Sequence, residues 1–388
     1  MDTRRALTAA GVSSTAMVLA ALGGATWYYA RRITEPPADL WPLEPSPEDL
    51  VRIEAVGAGT VTLTGREAAR TGVWGLAWEH GYGQVGEILE VRSPPEHADD
   101  GQVVATRAFR QITGLPSADT DAALDAFAYP DDPDVLGLAW EEIEFGSPVG
   151  EIPAYLFPAE GDTWAVFVHG RSSRRHEAFR LIPTTHRLEM PSLAIAYRND
   201  PDAPRSPDGR SHLGATEWVD LECALTEAVE RGAQRFVLIG FSMGGACVLN
   251  LLRRSELADR VVGVVLEAPV LDWIPVIRQA AEERGVPGPL LPVLLPTSLA
   301  LASALTGVAW DDVNHLEDPA RFTTPKLLIH GTDDDVVPVA LGDALANARP
   351  EIVTYLRVPG AGHVRSWNTD PSRYEAAVER FLEQVTTA

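Results

Sequence analysis

Short apolar runs alternate with amphipathic stretches through the second half of the chain. Runs at 164–168, 192–197, 235–239, 261–267, 326–330 and 353–358 have the length and residue types of buried strands. Between them, 216–231, 243–254 and 371–385 repeat apolar residues at helical spacing. A shorter helix is predicted at about 177–189, interrupted by Pro183. Apolar strands separated by amphipathic helices predict a mostly parallel sheet covered on both faces. Just upstream, Glu142-Ile143-Glu144-Phe145 and Ile152-Pro153-Ala154-Tyr155-Leu156 flank Gly146 to Gly150 and predict a hairpin. An α/β domain is therefore expected over 140–388.

The pattern differs on either side of Trp140. Residues 51–56, 60–64 and 87–91 alternate or are β-branched, with glycines between them, which predicts a β-rich accessory region at 51–139. Its end, from Asp119 to Asp134, is acidic and contains prolines, and reads as a connecting loop. Inside the α/β domain, the stretch from about 271 to 322 breaks the alternation of strand and helix. Its prolines and leucines predict a cap over the sheet with an apolar inner face. The competing reading is a helix pair that completes the core.

At the other end, Ala6 to Ala30 carries no charge, with Arg4 and Arg5 before it and Arg31 and Arg32 after it. That length can cross a bilayer, and Trp27-Tyr28-Tyr29 stands where an interfacial aromatic belt would lie. We expect a single-pass N-terminal membrane anchor at 1–32 and a proline-rich linker at 33–50. The alternative is a signal peptide cleaved near Ala25, giving a secreted protein; a buried core helix is disfavoured by the Pro-rich stretch that follows. Arginines flank the run equally, so the side carrying the remainder is not set.

Composition narrows the partners. The 388 residues are 45% hydrophobic and 22% charged, which suits a packed core. A net charge of −23 argues against nucleic acid, whose phosphates need clustered Lys and Arg. Cys223 and Cys247 both lie in helical stretches and read as buried thiols. Neither a CxxC nor an HExxH motif occurs, so no metal or other cofactor is expected. Oligomeric state is left open.

Candidate chemistry sits at the ends of the predicted strands. Gly240-Phe241-Ser242-Met243-Gly244 follows the strand at 235–239 and opens the helix at 243–254. A serine on a tight strand-to-helix turn, with glycines around it, is the arrangement of a nucleophile elbow. Gly331-Thr332-Asp333-Asp334-Asp335 follows the strand at 326–330, and Gly360-Ala361-Gly362-His363 follows the strand at 353–358. A serine hydroxyl needs an adjacent base, and the base needs an acid to hold its tautomer. Ser242, Asp334 and His363 are the candidate nucleophile, acid and base. Asp333 and Asp335 read as capping or solvated neighbours, and Glu267 at the end of 261–267 is the rival acid. The strand at 164–168 ends in His169-Gly170, so the amides of Met243 and Arg171 are the candidate oxyanion donors. Arg171, Arg174 and Arg175 together read as a solvated loop. His169 and His330 are expected to bond local backbone. His80, His97, His176, His186, His212 and His315 have no partner pattern.

Val168-His169-Gly170, Gly240-Phe241-Ser242-Met243-Gly244-Gly245, the segment from His330 to Pro338 and Gly362-His363 together resemble the α/β-hydrolase superfamily. Within it they are similar to the monoglyceride-lipase-like, serine-aminopeptidase-like branch. Tyr197-Arg198-Asn199-Asp200 and Ser206 to Arg210 also look like membrane-tethered bacterial members. The resemblance covers about 140 to the end and implies the α/β-hydrolase fold and a serine, acid and histidine triad. It leaves the bond cleaved open among ester, thioester and peptide, because one scaffold hosts many hydrolases. An esterase or lipase acting on small acyl substrates is the expected function. An aminopeptidase would need an acidic amine-binding group, for which Glu282, Glu283, Asp311 and Asp312 are candidates. A non-catalytic scaffold is the remote alternative.

Overall fold

The computed structural model describes residues 20–36, 45–93 and 101–387. The first helix, α1, runs over 20–33. The earlier part of the uncharged run lies outside the described residues. Six strands then close an antiparallel barrel: β1 (Leu50–Gly57), β2 (Thr60–Gly65), β3 (Trp74–Trp78), β4 (Gly81–Arg92), β5 (Val103–Thr113) and β6 (Thr120–Asp125), in the order β1-β2-β5-β4-β3-β6. Alternate inward residues, among them Ile53, Leu63, Leu76 and Val85, fill it.

Strand β6 corrects the expected loop at 119–134. Thr120 to Asp125 is too short and too acidic to stand out as a strand. Antiparallel pairing with β1 and β3 makes it one, and burial of Ala122, Ala123 and Leu124 follows. Closure has a physical reason: a barrel leaves no unpaired edge.

The second sheet has eight strands: β7 (Glu141–Ser147), β8 (Gly150–Phe157), β9 (Thr163–Val168), β10 (Ser192–Ile195), β11 (Arg235–Phe241), β12 (Val261–Glu267), β13 (Lys326–Gly331) and β14 (Val353–Val358). Their order is β14-β13-β12-β11-β9-β10-β8-β7. The β7–β8 hairpin and the β8–β10 pair are antiparallel, and the remaining pairs are parallel. The central β9, β11 and β13 are buried nearly throughout, as a sheet covered on both faces requires.

Helices α2 (Ile182–Arg187), α3 (Trp218–Glu230), α4 (Met243–Arg254), α5 (Trp273–Glu283), α6 (Leu291–Thr306), α7 (Val339–Ala348), α8 (Ser366–Thr369) and α9 (Pro371–Thr386) complete the chain. Two differ from expectation. Pro183 opens α2 instead of interrupting a helix, because a proline costs nothing where the first-turn amide has no partner. Helix α7 is not among the predicted helices, and Gly342 weakens its propensity. Packing explains that glycine: an added Cβ would lie 2.8 Å from His330 Nδ1 on the sheet below.

Two features outside the sheet bear on the site. The stretch expected as a cap contains α5 and α6. Among the described residues, Gly288–Thr306 is the one helix long and apolar enough to cross a membrane. The barrel docks against α8. Asn368 Nδ2 donates to Val73 O and Ala126 O at 2.9 Å each, and Val73 N donates to Asn368 O at 2.8 Å.

Candidate active site

Strand β11 delivers Ser242 to the carboxyl edge of the sheet, and α4 begins one residue later. Ser242 has φ 50° and ψ −115°, a conformation that costs a non-glycine residue on the order of 1–3 kcal/mol. Its surroundings hold it there. Ser242 N donates to Glu267 O at 3.0 Å, and Val270 N donates to Ser242 O at 3.1 Å. Close packing of strand and helix needs Gly244, where a Cβ would meet Val168 O at 2.0 Å.

The loop after β14 brings His363 to the same edge. His363 Nε2 lies 2.9 Å from Ser242 Oγ. His363 Nδ1 lies 2.9 and 3.1 Å from the two carboxylate oxygens of Asp334, which comes from the turn after β13. Three distant segments of sequence thus form one continuous hydrogen-bonded line.

Asp334 is buried and well supplied with donors. Val336 N and Val337 N donate to its Oδ1 at 2.9 and 2.7 Å. His330 Nε2 lies 3.2 Å from its Oδ2 and 3.0 Å from Val337 O. Burial alone would raise the carboxyl pKa. The bonds from His330 and His363, the charge on His363 and the Val337 amide outweigh it, and the group is held well below the usual carboxylate range. His330 thus bonds the acid as well as the local backbone expected from its position at the end of β13.

The other carboxylates are engaged elsewhere. Asp333 and Asp335 are exposed, and Asp333 accepts from Thr332 Oγ1 at 2.7 Å. Buried Glu267 accepts from Ser366 N at 3.0 Å and from the Tyr374 hydroxyl at 2.8 Å. It ties α8 and α9 to the end of β12.

The turn after β9 lies against the serine: a Cβ on Gly170 would sit 3.2 Å from Ser242 Cβ. Gly170 N is taken by Glu177 Oε2 at 2.8 Å, which leaves Arg171 as the next amide along the turn. Met243 is the first residue of α4, where helix amides lack intrahelical partners. A buried network fixes this turn. His169 Nδ1 is 2.8 Å from Gly170 O and its Nε2 is 2.8 Å from Asp200 Oδ2, while the Tyr197 hydroxyl donates to Gly170 O at 3.1 Å. Burial opposes charge on His169, but Asp200 outweighs it and the histidine pKa is raised. Asp200 stood in a segment noted only for its resemblance.

The expected solvated loop of arginines is corrected. Arg175 is buried, pairs with Glu142 at 2.8 Å and Asp202 at 2.7 Å, and covers the Tyr155 ring at 3.8 Å. Arg174 pairs with Asp131 at 3.1 Å. Arg171 sends its guanidinium to Arg32 O at 3.2 Å and Glu35 O at 2.7 Å. His212 also has partners, Thr216 Oγ1 and Asp208 Oδ2. His97 lies outside the described residues.

Ser242, His363 and Arg171 line a cavity of about 400 Å³. Trp273 of α5 and Leu291, Leu294 and Leu295 of α6 give it apolar walls, and Tyr29 and Ile33 of α1 join the lining. This α1 contribution corrects the expected linker, which was to begin at 33: Ile33 and Thr34 are buried in the α/β domain. The Pro-rich stretch after the run argued against a helix packed on protein; α1 packs there all the same, because it ends before Pro36.

Comparison with known proteins follows the same division. An uncharacterized protein of Mycobacterium tuberculosis is 26% identical over 238 residues, 60% of this chain and 74% of that one. An uncharacterized protein of Escherichia coli is 22% identical over 258 residues, 63% of this chain and 82% of that one. The structure of the Pyrococcus furiosus esterase Pf2001 matches with a TM-score of 0.54 at 18% identity, covering 66% of this chain and 96% of that one, which speaks to the fold. The barrel residues 52–124 match a domain of unknown function (DUF8805). The profile of the Alpha/beta hydrolase family matches residues 165–377, more than half of the sequence, and the chain belongs to that family.

Proposed function

We propose that this hydrolase cleaves carboxylic esters through an acyl-enzyme on Ser242. The carrying observation is the 2.9 Å contact of His363 Nε2 with Ser242 Oγ, at a cavity lined by leucines and aromatics. His363 Nε2 takes the hydroxyl proton as Oγ attacks the ester carbonyl. Asp334, ionised and bonded to Nδ1, stabilises the imidazolium. The amides of Met243 and Arg171 face the oxyanion. His363 returns the proton to the leaving alkoxide, and the alcohol departs. A water then gives its proton to His363 and attacks the acyl carbon. The acid leaves, and Oγ takes the proton back.

The apolar walls favour an acyl chain over a charged amine. Of the acids considered for an aminopeptidase, none lines the cavity, and Glu35, which does, is paired with Arg32. We therefore favour a lipid-type esterase of the monoglyceride-lipase-like branch over a peptidase. A thioester is the nearest competing bond. We also propose membrane attachment through the uncharged run from Ala6 to Ala30. Resistance of the full-length protein to carbonate extraction tests that attachment. A mature N-terminus near Ala25 would favour secretion.

Labelling with a fluorophosphonate probe and a p-nitrophenyl ester series test the reaction. Each methylene that finds apolar contact is worth about 0.8 kcal/mol, or roughly fourfold in kcat/KM. Activity should climb with acyl length until the cavity ends. Faster cleavage of aminoacyl amides than of any ester would replace this reading with the peptidase.

A further inference from the structure

Helix α1 is the unexpected part of the cavity. A membrane anchor followed by a loose linker should not touch the site, yet Tyr28, Tyr29, Arg32, Ile33 and Glu35 share its lining with Ser242 and His363.

The helix is seated at both ends of its described length. Toward the cap, Leu22, Ala25 and Tyr29 pack with Val286, Leu291 and Leu294. Thr26 Oγ1 lies 3.1 Å from Thr297 Oγ1 on α6. At the carboxyl end, Ala30 and Thr34 are buried, and Ser211 N donates to Thr34 O at 3.0 Å. A helix ends with carbonyls that lack intrahelical partners and carry partial negative charge. The Arg171 guanidinium supplies both donors and a cation there, bonding Arg32 O and Glu35 O at 3.2 and 2.7 Å.

We infer that α1 is a wall of the substrate cavity that sets which acyl groups fit, and that Arg171 is the positioning residue that holds it. This rests on the esterase reading. The uncharged run proposed to attach the protein to a membrane ends on protein: from Leu22 to Ala30 it packs on the domain and shapes the space beside Ser242, which leaves attachment to the residues before it. One residue serves both parts, because the backbone of Arg171 belongs to the turn beside Ser242 and its side chain clamps α1. A chain starting near Val51 would lack the wall.

The test uses full-length protein in detergent and the ratio of kcat/KM for p-nitrophenyl decanoate over butanoate. Tyr29 is half-buried, so Tyr29→Ala enlarges the cavity with little threat to the fold. Its ratio should rise on the order of tenfold, the scale of about two further methylenes finding apolar contact. Arg171→Ala should unseat α1 and flatten the dependence on chain length. Arg171→Lys should retain most of it, since an ammonium still donates to carbonyls. A disulfide between Thr26→Cys and Thr297→Cys should restore the dependence in Arg171→Ala by holding α1 on the cap. A merely structural Arg171 would lower all esters in proportion and leave the ratio alone. An active parent whose Tyr29→Ala and Arg171→Ala variants keep its ratio overturns the wall and leaves the esterase standing. A parent that takes no fluorophosphonate and cleaves no ester overturns both.

Discussion

Replacing Asp334 by Asn tests the line from Ser242 through His363 with almost no change in volume. The carboxylate receives two donors on each oxygen: Val336 N and Val337 N on Oδ1, and His363 Nδ1 and His330 Nε2 on Oδ2, with His363 also within 3.1 Å of Oδ1. An asparagine oxygen can keep the two backbone amides. Its NH₂ must then face His363 Nδ1, forcing the ring proton onto Nε2. That nitrogen points at Ser242 Oγ from 2.9 Å and can no longer accept the hydroxyl proton. The expected loss is on the order of 10⁴ in kcat, about 5.4 kcal/mol of transition-state stabilisation, with KM little changed. Steady-state ester hydrolysis and the rate of fluorophosphonate labelling measure it. A variant within tenfold of the parent, or one whose deficit lies in KM, would refute the role of Asp334.

Thermal unfolding adds an independent readout of the same substitution. The folded carboxyl is held below its unfolded value, so its contribution is present above roughly pH 3.9 and fades as pH falls through the folded pKa. Asp334→Asn should lower Tm at pH 7, and the gap should narrow in acid.

Three further substitutions separate chemistry from architecture. Ser242→Ala should abolish labelling and ester hydrolysis while the circular dichroism spectrum stays that of the parent; normal labelling would remove Ser242 as nucleophile. Glu267→Gln should keep hydrolysis within tenfold and lose about 1–3 kcal/mol of stability, because its oxygens pin Ser366 N and the Tyr374 hydroxyl; a collapse of kcat in a folded variant would make it the acid. His315 is buried, and burial pushes its pKa down to about 3, so the unfolded chain gains a proton that the folded chain refuses as pH falls from about 6.5. His315→Leu should flatten the decline of Tm between pH 6.5 and 4, and an unchanged slope would show that its titration does not contribute.

Much of this protein was legible along the chain because its signals are local. The strand runs at 164–168, 235–239 and 326–330 are apolar because both faces of the sheet are covered, and that need is written into every residue. Gly244 is likewise a local mark of a tertiary fact, since the helix crosses so close that a methyl group has no room. Parallel topology places strand ends together, so Ser242, Asp334 and His363 could be named before their distances were known.

Other features depend on neighbours. Thr120 to Asp125 becomes a strand only through its partners in the barrel. His330 joins Asp334 only because the turn after β13 folds back on the strand. The residues of α1 are apolar for whichever environment receives them, lipid or protein. Hydropathy measures the cost of leaving water and is blind to what replaces it. The buried Thr34, the Arg171 clamp and the shared cavity lining belong to tertiary structure alone, because each depends on atoms more than a hundred residues away along the chain.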